Sequence, residues 1–410
     1  MLVAFAAALP ARAQDSGGLF SPDSWAVAGD VRVTAGDGEA SWLDGGYGKT
    51  RFGGSEPDRG WRVEPRLVEG NLIWQPRFGW AVSGTLVATA QQGQEHPVDL
   101  SEAFLTWKPL VGGRVKPSVR AGLFWPPVSL EHSGPEWRVT ETITPSAINS
   151  WIGDEVKLGG VEANLAVTLG GHRLTGSFAL FGLNDTSGTL LAFRGWALHD
   201  EKVVAFGLQP LPPLTGFIHN IQAPETRPVI EIDNRFGWYG KLGWSPMRAF
   251  ELQLFHYDNR GDPEAMTPTQ QWGWRTRFTN IGALIDLGHI RLRAQAMGGR
   301  TEMGFVKNGR IWVDTDFHSA FLLMTRLFDR GSVSARVEAF DTNGRGSRLG
   351  SEGSEQGWAL TAAARREIGP HLSLLGEVLH VESDRAARAT IGLAPHQPQT
   401  LVQLGLRVHL

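Results

Sequence analysis

Apolar and polar residues alternate along much of the chain with a period of two. The pattern is clearest in Thr400–Leu410, where the apolar Val402, Leu404, Leu406, Val408 and Leu410 alternate with Gln403, Gly405, Arg407 and His409. Successive side chains of a β-strand point to opposite faces, so this segment predicts a strand with one apolar and one polar face. The segments that begin at His289 and Gly331 repeat the pattern.

Sixteen segments of this kind follow one another along the chain. They span approximately 24–35, 66–75, 78–91, 98–109, 115–124, 155–168, 172–183, 236–246, 249–259, 271–287, 289–298, 316–328, 332–342, 356–367, 371–382 and 400–410. Connections after even-numbered segments are tight, as at Gly170-Gly171, whereas those after odd-numbered segments are mostly long and polar. Outer-membrane barrels have short periplasmic turns and long extracellular loops. We therefore expect an all-β, transmembrane antiparallel barrel of about 16 strands, closed because an open edge leaves backbone groups unpaired in lipid.

Tryptophan is frequent, with 16 residues, and many of them lie near segment ends. Those with this position are Trp25, Trp74, Trp80, Trp107, Trp244, Trp272 and Trp358. Barrels carry aromatic girdles at both membrane interfaces, which this placement matches. The alternative is the ordinary core tryptophan of a soluble β protein, which leaves the unequal connections unexplained.

Composition narrows the class further. The formal net charge of −3 gives no support for nucleic-acid binding, and the absence of Cys excludes disulfides and thiolate zinc sites. No apolar run approaches the roughly 18 residues of a transmembrane helix. The apolar start Met1–Pro10, followed by Ala11-Arg12-Ala13, predicts a signal peptide over residues 1–13 and a barrel over 14–410. The alternative is a buried N-terminal segment. We expect the outer membrane of a Gram-negative bacterium.

The polar strand faces are expected to line the lumen, and arginine is prominent among them. The expected pore-lining residues are Arg291, Arg293, Arg336 and Arg407, then Arg120, Arg275 and Arg277 from strands with weaker alternation, and Arg194 from a long loop. Such guanidinium groups attract anions and repel cations. The alternative is that arginine reflects codon usage and that lumen acids such as Glu338 neutralise it.

Two connections are longer than a barrel needs. They are residues 125–154 and 184–235, and we expect at least one of them to fold inward and narrow a lumen of this width. The apolar run Leu190–Phe193 within the second supports packing against the barrel wall. Two alternatives remain for this run: a hairpin above the membrane, or two more strands that would make an 18-stranded barrel.

One stretch resembles a known family. Val119–Glu131 (VRAGLFWPPVSLE) is similar to a strand-to-loop segment of the phosphate-selective porin (porin O and P) family, in which R-x-G-x-F runs into a Pro-containing turn and an acidic residue. Ser101–Leu110 and Ile148–Leu165 are also similar, so the likeness covers roughly residues 98–168. The resemblance implies a sixteen-stranded channel, usually a homotrimer, for anions or small organic solutes. Phosphate-selective members have a lysine-rich pore, whereas this chain has seven Lys, so phosphate selectivity is not carried over.

Motifs for catalysis, phosphate loops and zinc are absent from the sequence, so we predict no catalytic residue, no metal site, no cofactor and no enzyme activity. The predicted function is a porin whose water-filled channel passes small hydrophilic solutes, with a preference for anions. The expected partners are outer-membrane lipid and lipopolysaccharide, small anionic solutes and further copies of the chain. One alternative is a barrel with a ligand-binding or hydrolase role and little conductance, and another is a soluble, glycan-binding β protein.

Overall fold

The computed structural model describes residues 19–54, 60–247, 249–344 and 346–410, so the expected signal peptide lies outside the described residues. Sixteen antiparallel strands form one closed barrel. They are β1 (Trp25–Gly36), β2 (Arg62–Trp74), β3 (Val82–Gln91), β4 (Asp99–Trp107), β5 (Val115–Phe124), β6 (Leu158–Leu169), β7 (His172–Gly182), β8 (Gly237–Met247), β9 (Phe250–Asp258), β10 (Arg275–Asp286), β11 (Ile290–Met303), β12 (Val313–Phe328), β13 (Gly331–Asn343), β14 (Glu355–Gly369), β15 (Leu372–Arg385) and β16 (His396–His409).

The barrel closes between its first and last strands. β1 pairs with β16 from Ala28 opposite His409 to Gly36 opposite Leu401. Every other strand pairs with its neighbours in sequence, so the predicted 16-stranded antiparallel barrel is confirmed. The second long connection contributes no strand to the barrel wall, which excludes the 18-stranded alternative within the described residues.

The connections differ in length at the two ends of the barrel. The β6–β7 turn consists of Gly170 and Gly171, whose φ angles of 53° and 89° both lie in the left-handed region. Two-residue hairpin turns of this type favour glycine because they need positive φ at both positions. Such short turns lie at the periplasmic end, together with the start of β1 and the end of β16, and the long loops lie at the extracellular end.

Along the strands, apolar side chains face outward and polar side chains face the lumen, which is the reverse of the arrangement in a soluble protein. On β16, Val402 and Leu404 are 37% and 55% exposed, whereas Gln403 and Arg407 are 2% and 8% exposed. The apolar side chains therefore face outward and the polar ones inward, as an outer-membrane barrel requires. No helix among the described residues has the length and apolarity needed to cross a bilayer.

Aromatic side chains mark the membrane boundaries. Trp25, Trp74 and Phe20 stack at the periplasmic end, with ring centroids 5.5 to 5.6 Å apart. Trp107 and Trp244 are exposed near the same boundary, and Trp358 is exposed at the other end. Trp272 differs from the prediction: it is 3% exposed and packs in an extracellular loop cluster with Trp312, whose ring centroid lies 5.4 Å away.

Candidate functional site

Two long segments fold from the extracellular end into the barrel. We call residues 125–157 the first inward loop and residues 183–236 the second inward loop. The first contains a hairpin of two-residue strands, His132–Ser133 and Arg138–Val139, and the helix α1 (Ala147–Glu155). The second contains the short helix α2 (Thr189–Phe193). Every residue of both helices is buried, so this part of the lumen is filled with protein.

Local sequence explains where α1 begins. Pro145 precedes Ser146, whose Oγ accepts a hydrogen bond from the Asn149 backbone N–H at 3.4 Å. Serine is a favoured N-cap because its hydroxyl oxygen satisfies a free N–H of the first turn. The buried Glu131 carboxylate accepts hydrogen bonds from Ser146 Oγ and Asn149 Nδ2 at 2.6 and 2.5 Å. The start of the helix is therefore fixed by residues of its own loop.

An aromatic core attaches the inward loops to the wall. The Trp151 ring lies 5.2 Å from those of both Phe278 and Phe317, and 6.1 Å from that of Trp196 in the second inward loop. The buried Tyr239, Phe255 and Tyr257 extend this cluster around the inward faces of β8 and β9. The extracellular half of the lumen is thus apolar on this side, which the sequence analysis did not foresee.

Buried charges attach the first inward loop to the adjoining wall strands β13 and β15. The Arg336 guanidinium of β13 donates to Glu131 and to the carbonyl oxygens of Thr144 and Pro145, at 3.1, 2.8 and 2.9 Å. Glu338, on the same strand, accepts from the Ala147 N–H at 2.7 Å. Glu377 of β15 accepts from the N–H groups of Ile143 and Thr144. Removing one partner from such a buried network leaves the others unpaired, so the network fixes the loop in one position.

The second inward loop is held by a separate set of ion pairs. Lys202 Nζ lies 2.6 Å from Glu69 Oε1 on β2, and Asp200 pairs with Arg32 on β1 and with Arg51. Burial opposes ionisation of Asp200, but attraction to Arg32 and Arg51 outweighs burial and keeps its pKa below the ordinary value. Asp200 is therefore a fixed negative charge on the inner surface.

A buried cluster joins the two inward loops. Arg194 Nη1 donates to Asp154 Oδ2 at 2.7 Å, and its guanidinium lies 4.6 Å from the Trp42 ring centroid. His199 Nε2 lies 3.4 Å from the same Asp154 oxygen. Burial lowers the pKa of His199, with Asp154 opposing this effect, and burial raises the pKa of Glu201 to about 7. Near neutral pH this cluster therefore contains the charged pair Arg194–Asp154 beside His199 and Glu201, whose shifted pKa values both favour the neutral form.

Two neighbouring spaces lie along one side of the barrel. A cavity of about 400 Å³ opens between the tip of the first inward loop and the periplasmic ends of β14, β15 and β16. A narrow gap of about 20 Å³ lies against β1 and β2. Arg138 and Arg407 line both spaces, which are therefore adjacent. We call the two spaces together the side passage.

Charged groups dominate the narrow part of the side passage. The basic lining residues are Arg32, Arg138, Lys202 and Arg407, and the acidic ones are Asp30, Glu69 and Asp200. Most are paired: Arg407 Nε lies 2.7 Å from Asp30 Oδ2, for example. Arg138 is held more loosely, with Nε 3.5 Å from Glu136 Oε1. The gap is therefore lined by strong fixed charges together with the apolar side chains of Trp137, Val139, Ile143 and Pro145.

Six of the eight expected pore-lining arginines lie inside the barrel, in four different environments. Arg407 lines the side passage, and Arg291 and Arg293 face inward near the periplasmic end, where both contact Glu141 of the first inward loop. Arg120 also faces inward, pairing with Glu162 and donating to the Trp125 carbonyl oxygen at 3.2 Å. Arg336 and Arg194 are inside the barrel but fully buried, with 0% and 1% of the side chain exposed.

Arg275 and Arg277 differ from the expectation, because the structure places them on the outward face of β10. Thr276 and Phe278, with which they alternate, are buried against the second inward loop and the aromatic core. Side chains of a strand alternate strictly, so the neighbouring arginines must point away from the lumen. The aromatic residues of β9 and β10 were the available signal in the sequence, because their inward burial determines which face of β10 is turned outward.

The lining residues missed by sequence analysis come mainly from loops. Arg138 and Lys202 have no periodic pattern around them, and only folding brings them beside β1 and β2. Glu69 and Arg32 belong to strands and alternate inward, so strand periodicity could have found them.

One group of carboxylates is close enough to hold a metal ion. Single oxygens of Asp185, Glu231 and Asp233 lie within 4.8 Å of one another. Burial raises the pKa of Asp185 to about 7, with Asp233 and Glu231 adding to the effect. Asp185 and Glu231 already accept hydrogen bonds from the backbone N–H groups of the same loop, at Ile232 and Asn234. These bonds account for the arrangement without an ion.

Comparison with known proteins identifies the fold. No family model and no curated protein matches the chain. An anion-selective porin from Comamonas acidovorans is similar, with a TM-score of 0.54, 10% identity, and 94% of this chain and 98% of that chain covered. The outer membrane channel DcaP of Acinetobacter baumannii has a TM-score of 0.54 and 11% identity, with 96% of this chain and 100% of that chain covered. Salmonella typhi OmpF in complex with daunomycin has a TM-score of 0.50 and 11% identity, with 94% of this chain and 97% of that chain covered. The chain therefore has the barrel fold of Gram-negative outer-membrane porins, and its location is the outer membrane.

Proposed function

We propose that this protein is a channel through which small hydrophilic solutes diffuse passively, and that the side passage is their route. The observation that carries the proposal is the pair of adjacent cavities that share Arg138 and Arg407. Inward loops fill much of the extracellular half, and the proposed route runs beside them along β1, β2 and β16. No chemical step is involved, since selectivity comes from pore width and fixed charge.

The tip of the first inward loop is the proposed constriction. The narrow gap of about 20 Å³ has room for roughly one water molecule. The Trp137 ring at this tip stacks on His132, with centroids 4.5 Å apart, and on Trp125 at 5.1 Å. Solutes larger than water therefore need this tip to shift, while Arg336 and α1 keep the base of the loop in place.

We propose a preference for anions. Basic residues exceed acidic ones in the narrow part, and Arg138, Arg365 and Arg407 exceed Glu136 and Glu367 in the wide part. In a confined space with low-dielectric walls, such an excess raises the local concentration of anions. The resemblance of residues 98–168 to phosphate-selective porins agrees with anion transport and supports a homotrimeric assembly as part of the proposal.

A barrel that binds a ligand and conducts little is the second candidate. The observation that favours it is the tight packing of both inward loops inside the lumen. A hydrolase has less support. Ser150 and Asp154 both lie near His199, but Ser150 Oγ accepts a hydrogen bond from the His199 backbone N–H at 3.0 Å, and no described hydroxyl group forms a hydrogen bond with the His199 ring. A nucleophile activated by histidine needs the hydroxyl to meet the ring.

Cysteine accessibility tests the route, because the natural chain contains no Cys. We expect a negatively charged thiol reagent to reduce the single-channel current of Arg138→Cys, since the modified side chain narrows the gap and reverses its charge. Arg326→Cys is the control, because Arg326 is exposed on the outward face of β12. Complete modification of Arg138→Cys, confirmed by mass, with an unchanged current would show that solutes do not pass this residue.

A further inference from the structure

The outward face of the barrel carries arginine where β9, β10 and β11 reach the extracellular side. Arg275 and Arg277 lie on β10, and Arg300 lies outward on β11. Below them the same face is apolar: Ile281 of β10 is 58% exposed and Leu254 of β9 is 46% exposed. The surface therefore changes from apolar to charged within a few residues.

The height of this change places the arginines beside lipid headgroups. Arg277 is four residues from Ile281, which at a rise of about 3.4 Å per residue and a tilt of about 45° corresponds to roughly 10 Å along the membrane normal. An arginine on the lipid face is costly at the membrane midplane but costs little near the interface. The arginines are thus tolerated at a level where lipid phosphates are within reach.

The charges on this face are incompletely paired. Arg277 stands directly opposite Arg300 in the β10–β11 register, and like charges in this position repel each other. Arg300 is satisfied by Asp314, at 2.7 Å from Nε, whereas Arg260, Arg275 and Arg277 form no ion pair with any described residue. Asp258, opposite Arg277 on β9, is the one acid facing them without an ion pair of its own among the described residues. Glu302 stands opposite Arg275, but it pairs with Arg300, as Asp314 and Asp316 also do, so none of these three acids forms an ion pair with Arg260, Arg275 or Arg277.

A cavity lies beside these residues. It has a volume of about 320 Å³ and is lined by Arg235, Asp258, Arg260, Gly261, Pro263 and Arg275. Arg235 is oriented by Asp262, whose Oδ2 lies 2.6 Å from its Nη2. Guanidinium groups bind phosphate with two parallel hydrogen bonds, whereas the Asp258 carboxylate repels phosphate and accepts hydrogen bonds from hydroxyl groups.

We propose that this cavity binds the phosphorylated sugar headgroup of an outer-leaflet glycolipid. The arginines contact the phosphate, Asp258 accepts from sugar hydroxyls, and the apolar surface at Ile281 and Leu254 contacts the acyl chains. A free phosphate ion satisfies only the first of these contacts. The site is on the outside of the barrel and is independent of the channel.

The test is binding of diphosphoryl lipid A to the detergent-solubilised full chain, measured by native mass spectrometry. We expect Arg275→Gln combined with Arg277→Gln to weaken binding at least about tenfold, because two charge-assisted contacts are lost. The control is Arg326→Gln combined with Arg366→Gln, which removes two exposed outward arginines near the periplasmic boundary. This control should bind lipid A as the parent does.

Two further ligands identify the source of the phosphate. Lipid A without phosphates should bind the parent about tenfold more weakly or worse, and inorganic phosphate at millimolar concentration should not compete. Equal binding of the dephosphorylated lipid, competition by inorganic phosphate, or an unchanged affinity of the Arg275/Arg277 variant would each overturn the proposal. The single-channel current is expected to be unchanged in that variant, so failure of this site is distinguishable from failure of the channel.

Discussion

Arg336 of β13 and Glu131 of the first inward loop form an ion pair inside the barrel, with Nη1 3.1 Å from Oε1 and both side chains almost fully buried. The pair connects residues 205 positions apart in the chain. Charges removed from water in this way are stabilised only by each other and by their hydrogen bonds. The wall residue thus determines where the loop lies.

Arg336→Ala is expected to lower the free energy of unfolding by about 3–5 kcal/mol, because it leaves the buried Glu131 and Glu338 without their partner. Urea unfolding in lipid vesicles measures this change, and a released first inward loop should also make the single-channel current larger or noisier. Arg365→Ala is the control: its ion pair with Glu367 is exposed, so the loss should stay below about 1 kcal/mol. Equal losses in both variants would contradict the anchoring role.

Val337→Arg tests the position of the membrane. Val337 is 51% exposed near the middle of β13, and a charge at such a depth should cost about 2–4 kcal/mol. Val63→Arg introduces the same side chain at the extracellular end of β2, where Val63 is 62% exposed, and should cost no more than about 1 kcal/mol. Assembly yield and urea unfolding report both values. A similar loss of stability at the two positions would mean that the middle of β13 does not lie at the centre of the membrane.

Arg291→Glu combined with Arg293→Glu is expected to shift ion preference toward cations while the barrel still assembles. Both arginines face inward and pair with Glu141, so the double variant also places like charges together at the loop. Adding Glu141→Arg to the double variant restores an attraction between the loop and β11. The triple variant therefore separates the effect of releasing the loop from the effect of reversing the charge on the wall. The reversal potential in a salt gradient checks the shift, and an unchanged value in the double variant would show that the field of these two charges does not reach solutes in the side passage.

Glu155 makes the inward loops sensitive to pH. Burial raises its pKa to about 7, although N–H groups of Leu190 and Trp151 donate to its carboxylate. The folded protein therefore favours the neutral form, and the stability contributed by this group is present at acid pH and lost as the pH rises through about 7. Glu155→Gln should thus gain stability relative to the parent between pH 5 and pH 8.

Urea unfolding at the two pH values measures this difference. Glu367→Gln, at the exposed periplasmic end of β14, is the control and should differ from the parent by the same amount at both. If the free energy of unfolding changed by the same amount between pH 5 and pH 8 in the parent and in Glu155→Gln, the role of Glu155 would be contradicted.

Most of the wall could be predicted from sequence, because lipid on one side and polar groups on the other impose a period of two on every strand. This is why all sixteen strands coincide with alternating segments. The interior was harder to predict. Phe255, Tyr257 and Phe278 face a protein-filled lumen, so the inward side is apolar there and the lipid–lumen rule no longer sets the register.

The side passage depends on contacts that no local pattern encodes. Arg138 and Lys202 reach it from two loops, 64 positions apart in the numbering, and Lys202 Nζ donates to the Glu136 carbonyl oxygen at 2.7 Å. Loop backbones without periodicity leave no signal of their final position, whereas Arg407 was recognised because it belongs to a regular strand. Folding of the loops, rather than strand order, decides which charges line the side passage.

The most direct test of the channel is single-channel recording of the refolded protein in a planar bilayer with a salt gradient. The proposal predicts discrete open steps and a reversal potential on the anion-selective side. Steps with cation selectivity would contradict the role assigned to the arginines of the side passage. Folded protein that inserts into the bilayer but never conducts would contradict the channel itself and favour a ligand-binding barrel.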